Sequence, residues 1–222
     1  MYVLSSPVRR IMKTLLGLMV FFTAITPQPV FAAQVKLVVL GDSLSAGYKL
    51  PRGSGFPEQL QGRLNKAGYQ VRISNAGVSG DTTAGGLARL GWSVPKGTDA
   101  VIVELGANDA LRGVNPKQTY KNLDALIGKL KARNIKVLLA GMEAPRNLGS
   151  HYVKSFGKIY PDLAKKHNVP LYPFFLKGVA LQRSLLLRDG LHPNERGVAI
   201  MVENIMPHVE LLLAKTTSSS SH

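Results

Sequence analysis

Ser43 stands three residues beyond the apolar run Val35 to Leu40, and Asp189 and His192 stand three residues apart near the other end of the chain. A hydroxyl, an imidazole and a carboxylate are the parts of an acyl-transfer triad. The imidazole takes the hydroxyl proton, and the carboxylate fixes the imidazole in the tautomer that can do so. The chemistry these residues imply is hydrolysis of an ester or a thioester. Each residue also has an ordinary alternative: Ser43 could simply cap a helix after a strand, and Asp189 and His192 could form a polar turn before a final helix capped by Asn194.

A triad needs a scaffold that brings distant residues to one place. Short β-branched runs at Val35 to Leu40, Val71 to Ser74, Ala100 to Leu105, Val137 to Ala140 and Leu171 to Phe174 show little polar alternation, as strands do when both faces of a sheet are covered. Between them, Phe56 to Ala67, Pro116 to Arg133, Tyr152 to His167 and Asn194 to Ala214 read as helices. The second opens on an Asn115 cap and Pro116, and the last carries Val198, Met201, Val202, Ile205, Val209 and Leu212 at helical spacing, with a kink expected at Pro207. Five parallel strands joined by helical crossovers predict a three-layer α/β/α sandwich that binds ligands at the carboxyl ends of its strands. The polar, glycine-rich segments fall at those ends: Gly41-Asp42-Ser43-Leu44-Ser45, Asn75 through Asp81, and Gly106-Ala107-Asn108-Asp109.

The first 32 residues read as a leader rather than as part of the fold. Arg9, Arg10 and Lys13 precede the apolar stretch Thr14 to Ile25, and Val30-Phe31-Ala32 has the small residues a signal peptidase prefers. The stretch falls short of the ~20 residues that span a bilayer, so cleavage after Ala32 is the expectation and a periplasmic or secreted location follows. Residues 33–215 then form one domain, and 216–222 a disordered tail.

Of the 28 basic and 13 acidic side chains, the leader holds three basic and no acidic, so the remainder carries a formal +12. Such charge draws a protein toward anionic surfaces, phospholipid headgroups among them, and predicts at most transient membrane contact. The cations are scattered along helices without interleaved aromatics, which speaks against nucleic acid. Without cysteine there is neither a disulfide framework nor a thiol nucleophile.

The blocks Gly41-Asp42-Ser43-Leu44, Val78-Ser79-Gly80-Asp81-Thr82, Gly106-Ala107-Asn108-Asp109 and Asp189-Gly190-Leu191-His192-Pro193 resemble, in order and separation, those of the SGNH or GDSL hydrolases. Leu87-Ala88-Arg89-Leu90, Val103-Glu104-Leu105-Gly106, Ile159-Tyr160-Pro161 and Val169-Pro170-Leu171 are similar to the bacterial periplasmic branch that holds multifunctional thioesterase/protease/lysophospholipases and arylesterases. The resemblance spans nearly the whole chain beyond the leader. It implies a flavodoxin-like sheet, catalysis by Ser43, Asp189 and His192, and an oxyanion hole from the amides of Ser43 and Gly80 and the side chain of Asn108. It implies a small-molecule or lipid ester as substrate; no histidine pair or carboxylate cluster has metal spacing, and neither a metal nor a cofactor is expected, in a chain expected to be a monomer.

Asp42 and Asp81 read as structural, bonding nearby amides, with Asp81 capping a helix near Thr82. The segment Glu143 to Tyr152 is the expected wall for the acyl or alcohol portion. His151, His167 and His208 have no partner pattern like that of His192. Two other functions compete: a carbohydrate acetylesterase, and an acyl- or lipid-binding module that keeps the fold without turnover.

Overall fold

The computed structural model describes Tyr2 and residues 34–217; apart from Tyr2, the leader read at 1–32 lies outside the described residues, as do 218–222. Five parallel strands, β1 (Val35–Gly41), β2 (Val71–Gly77), β3 (Ala100–Glu104), β4 (Lys136–Ala140) and β5 (Leu171–Tyr172), form one sheet in the order β2-β1-β3-β4-β5. All of β3 and nearly all of β1 are buried, as the unbroken apolar runs require when helices cover both faces.

The helices are α1 (Ser43–Ala46), α2 (Phe56–Lys66), α3 (Thr83–Ala88), α4 (Leu90–Ser93), α5 (Ala107–Leu111), α6 (Pro116–Lys131), α7 (Ser150–Gly157), α8 (Ile159–His167) and α9 (Glu195–Thr217). On one side of the sheet α2 packs with α9, and on the other α6 packs with α3 and α8. The six apolar residues expected to seat the last helix are all buried. Among the described residues α9 is the one helix long and apolar enough to cross a bilayer, but its apolar stripe is what covers the sheet.

Four differences from the sequence reading have local causes. The helix expected over Tyr152 to His167 is two helices, because Pro161 has no N–H for the Gly157 carbonyl and its ring would crowd that carbonyl. β5 stops at Tyr172 because Pro173 cannot donate to the ladder. β2 continues three residues beyond Ser74, pairing Asn75, Ala76 and Gly77 with Val39, Leu40 and Gly41; an edge strand tolerates those polar residues. Finally, α9 runs through Thr217, two residues into the segment read as a tail, and the Thr216 hydroxyl donates to the Leu213 carbonyl at 2.6 Å.

Register aligns the carboxyl ends. Gly41 pairs with both Gly77 and Glu104, and Glu104 pairs with Ala140, so the loops that follow leave the sheet at one level. The chain order reverses direction between β1 and β3, and the crevice opened at such a switch point is where α/β sheets bind ligands.

Candidate functional site

Ser43 opens the one-turn helix α1 immediately after β1. Asp42 starts that turn, its Oδ1 accepting the Leu44 amide at 3.0 Å, and Gly47, with φ of 79°, ends it. Gly41 is glycine for want of space: any Cβ there would collide with the side chains of Ser45 and Glu104. The nucleophile candidate therefore sits on a short, tightly anchored turn rather than on a mobile loop.

Asp189 and His192 lie in the loop before α9, on a turn around Gly190, whose φ is 71°. Asp189 Oδ1 accepts the amides of Leu191 at 2.9 Å and His192 at 3.0 Å, while its Oδ2 lies 2.8 Å from His192 Nδ1. The His192 amide above all holds the Asp189 carboxyl down at about 2. An ionised carboxylate only accepts, so Nδ1 must carry the proton and Nε2 presents its lone pair. That lone pair faces Ser43 Oγ at 2.9 Å. The structure thus brings together the three residues read from opposite ends of the sequence. Asn194 then caps α9, its Oδ1 accepting the Gly197 amide at 3.0 Å.

One neighbour escaped the sequence reading. The Tyr48 ring packs on the His192 imidazole, with centroids 4.5 Å apart, and Lys49 Nζ lies 5.0 Å from the Tyr48 ring. A tyrosine five residues after Ser43 carries no motif signal; only the turn of α1 brings it round.

Gly80 lies beyond the end of β2 and Asn108 beyond the end of β3, and Asn108 lines the same cavity as Ser43. Gly80 adopts φ of 83°, which a side chain would disfavour, and its carbonyl accepts Arg112 Nη2 at 2.8 Å. The Asn108 amide nitrogen donates to Asp42 Oδ2 at 3.1 Å and to the Asp81 carbonyl at 3.0 Å. Asn108 is therefore braced across the three loops, and both of its N–H groups have acceptors.

Asp81 corrects the sequence reading. Thr82 is the cap of α3, its hydroxyl accepting the Gly85 amide at 3.3 Å, whereas the Asp81 carboxylate pairs with the buried Arg89 at 2.5 Å. Arg89 in turn donates to the Ala76 and Gly41 carbonyls, each at 2.8 Å, tying the ends of β1 and β2 to the Gly80 loop. Asp109 does the same beneath α5, accepting the Thr83 amide at 2.8 Å and its hydroxyl at 2.5 Å. Asp42 bonds the nearby Leu44 amide as read, but burial pushes its carboxyl up to about 6.

A cavity of about 170 Å³ opens beside Ser43, Asn108 and His192. Its walls are Leu44, Leu111, Met142, Pro145, Leu176 and Leu191, with Glu143 at the edge. Leu111 and Leu191 are each more than half exposed, an apolar lip open to solvent. Of the wall expected from Glu143 to Tyr152 only the first residues reach the cavity; the Tyr152 hydroxyl turns away to the Val114 carbonyl at 2.8 Å. The other histidines serve elsewhere: His167 pairs with Asp124 at 2.7 Å, His208 packs on Tyr172, and His151 is exposed.

An apolar slot beside a hydroxyl poised on an imidazole suits one chemistry above others, the attack on an acyl carbonyl. The chain belongs to the GDSL-like lipase/acylhydrolase family, whose model matches residues 39–200, and is a carboxylic ester hydrolase. It is 41% identical over 183 residues to the esterase TesA of Pseudomonas aeruginosa, covering 82% of this chain and 91% of that protein. The arylesterase of Vibrio mimicus is 42% identical, over 82% of this chain and 90% of its own. Among solved structures, a crystal structure of TesA superposes with a TM-score of 0.76 at 40% identity, covering 80% of this chain and 99% of that one. A psychrotrophic esterase from Pseudoalteromonas, inhibited by monoethylphosphonate, superposes with a TM-score of 0.76 at 32% identity, covering 81% and 98%.

Proposed function

We propose that the protein hydrolyses carboxylic esters and thioesters through an acyl-enzyme on Ser43. The observation that carries this reading is the continuous relay from Asp189 through His192 to Ser43, 2.8 Å and 2.9 Å in its two steps, opening on an apolar cavity. Ser43 Oγ attacks the acyl carbonyl carbon while His192 Nε2 takes its proton. The tetrahedral oxyanion collapses as the bond to the alkoxide or thiolate breaks, and the imidazolium protonates that leaving group. Water repeats the sequence on the acyl-enzyme, releasing the acid and returning the proton to Ser43. Asp189, ionised throughout, stabilises the imidazolium at each turn.

The Ser43 and Gly80 amides and the Asn108 side chain receive the oxyanion. Asn108 would do so by sharing one N–H, now held by Asp42 or the Asp81 carbonyl, with the substrate oxygen. The cavity walls favour short acyl or aryl groups, and the open lip at Leu111 and Leu191 leaves room for a longer chain to extend into solvent. Relatives named arylesterase and thioesterase 1/protease 1/lysophospholipase L1 support a substrate range of aryl esters, acyl thioesters and lysophospholipids. The leader supports export after cleavage at Ala32, with the enzyme working at or beyond the inner membrane.

The test is covalent capture. A fluorophosphonate should add to Ser43 of the wild type and to no residue of Ser43→Ala, read by peptide mass spectrometry. An adduct on another residue, or wild-type hydrolysis of p-nitrophenyl acetate by Ser43→Ala, would remove the triad reading. A panel of p-nitrophenyl esters, acyl-CoAs and lysophospholipids then ranks the substrates.

A further inference from the structure

β3 ends on a carboxylic acid after four apolar residues, and that side chain, Glu104, is completely buried. Sheet register places it beside Gly41, two residues before Ser43. Its Oε2 lies 2.7 Å from the Ser45 hydroxyl and accepts the Asp42 amide at 3.3 Å. The chain is shaped around this contact, since the space a Cβ of Gly41 would need is filled by Glu104 and Ser45. The other oxygen, Oε1, is buried with no hydrogen-bond partner among the described residues.

A carboxylate with one bare oxygen in a dry interior is costly, and a second carboxylate nearby makes it more so. Burial first, and the charge of Asp42 second, push the Glu104 carboxyl well above the usual carboxylate range. The charged and titratable groups around it are Asp42 from the β1–α1 turn, Tyr160 from α8 and Arg89 from the end of α3. The Tyr160 hydroxyl donates to the Leu105 carbonyl at 2.9 Å, and the Arg89 guanidinium is taken by Asp81 and the Gly41 and Ala76 carbonyls. Among the described residues no cation bonds Glu104.

We propose that Glu104 is a positioning residue that acts as a neutral acid: by holding Ser45 and the Asp42 amide it fixes the turn that carries Ser43. Through Asp42, whose Oδ2 accepts the Asn108 amide at 3.1 Å, the same grip reaches the oxyanion side of the cavity. Glu104 touches neither substrate nor any reacting atom. This inference rests on the triad reading above and adds the element that keeps nucleophile and oxyanion donor in mutual register.

The experiment compares Glu104→Gln, Glu104→Ala and Ser45→Ala with wild type on one chromogenic ester. Gln keeps an oxygen acceptor of equal reach without a charge, so its kcat should stay near wild type. Ala should lower kcat roughly 10–10²-fold with KM little changed, the scale of loss expected when a reacting group is misplaced by about an ångström. Ser45→Ala removes only a hydroxyl and should lower kcat in the same direction, which decides the matter if Glu104→Ala fails to fold.

Infrared difference spectra at neutral pH give a readout independent of turnover. The carbonyl stretch of a protonated carboxylic acid should be present in wild type, missing from Glu104→Gln, and shifted to higher frequency in Ser45→Ala. The proposal is overturned if Gln falls as far as Ala, if Ser45→Ala leaves both kcat and the band unchanged, or if no acid carbonyl disappears with Glu104. Failure of the triad reading would be seen separately, as a wild-type Ser43 that takes no phosphonate.

Discussion

Helix α9 contrasts with the carboxyl ends of the strands. Along most of its length Val198, Met201, Val202, Ile205, Val209 and Leu212 press an apolar stripe on the sheet, and packing alone specifies the arrangement. At the carboxyl ends of the strands buried polar groups replace apolar ones: Asp42, Ser45, Thr83, Arg89, Glu104 and Asp109 are all buried and hydrogen-bonded. The first region can accept any change that conserves volume, at modest cost. The second has discrete partners for each group, so removing one leaves another buried and unpaired. Stability is concentrated in the first and geometry in the second, and substitutions should separate them.

The sharpest break is at the nucleophile. Ser43→Ala should lower kcat on the order of 10⁶-fold, and adding His192→Ala should lower it little further, because groups that act as one unit are not additive. Both proteins should melt near the wild-type temperature, since neither side chain supports the apolar interior. A double variant much slower than Ser43→Ala would show that His192 works apart from Ser43.

Asn108→Ala should cost roughly 10²–10³-fold in kcat, the scale of one oxyanion donor, with KM almost unchanged. Steady-state kinetics on one ester would show it, and a loss confined to KM would place Asn108 in substrate binding. On the other side of the comparison, Ile205→Ala should destabilise folding by about 2–5 kcal/mol and leave kcat alone at temperatures where the protein is folded. Denaturant titration checks the first part; a matching loss of kcat would mean that the two regions are less separate than their packing suggests.

The smallest effects divide the site itself. Asp189, lowered from 3.8 to about 2, stabilises the fold above pH 4 and loses that contribution as pH falls through 2. Asp42, raised from 3.8 to about 6, has the opposite sign: its relative stability is full below pH 4 and is lost as pH rises through 6, on the order of 3 kcal/mol. Melting curves of Asp189→Asn and Asp42→Asn against wild type should therefore diverge in opposite pH windows. Parallel curves for both would mean that neither carboxyl differs between folded and unfolded chains.

The same contrast explains what could be read before the fold was known. Ser43, Asp189 and His192 were legible because their order and neighbours form a pattern, and the strands because unbroken β-branched runs fit a sheet covered on both faces. The break between α7 and α8 was written in Pro161, but the long helical periodicity across Tyr152 to His167 masked it. Glu104 and Arg89 were visible only as members of a resemblance. No one-dimensional pattern tells a buried carboxylate from an exposed one, or says that Arg89 will reach back to the Gly41 carbonyl. Asp81 was misread for the same reason: a cap is a local event, whereas its true partner lies one helix away.

The loop after β4 stands apart from its neighbours at the strand ends. It lends Met142, Glu143 and Pro145 to the cavity and contributes neither a member of the Ser43, His192 and Asp189 relay nor one of the oxyanion donors proposed at Gly80 and Asn108. This part of the wall is separate from the relay, whereas Leu44 and Leu191 line the cavity from beside Ser43 and His192. Exchanging residues 143–149 should change which esters are accepted, while the register of β1 with β3 keeps the turn that carries Ser43 in place. A fold so divided can diversify its diet without relearning its chemistry.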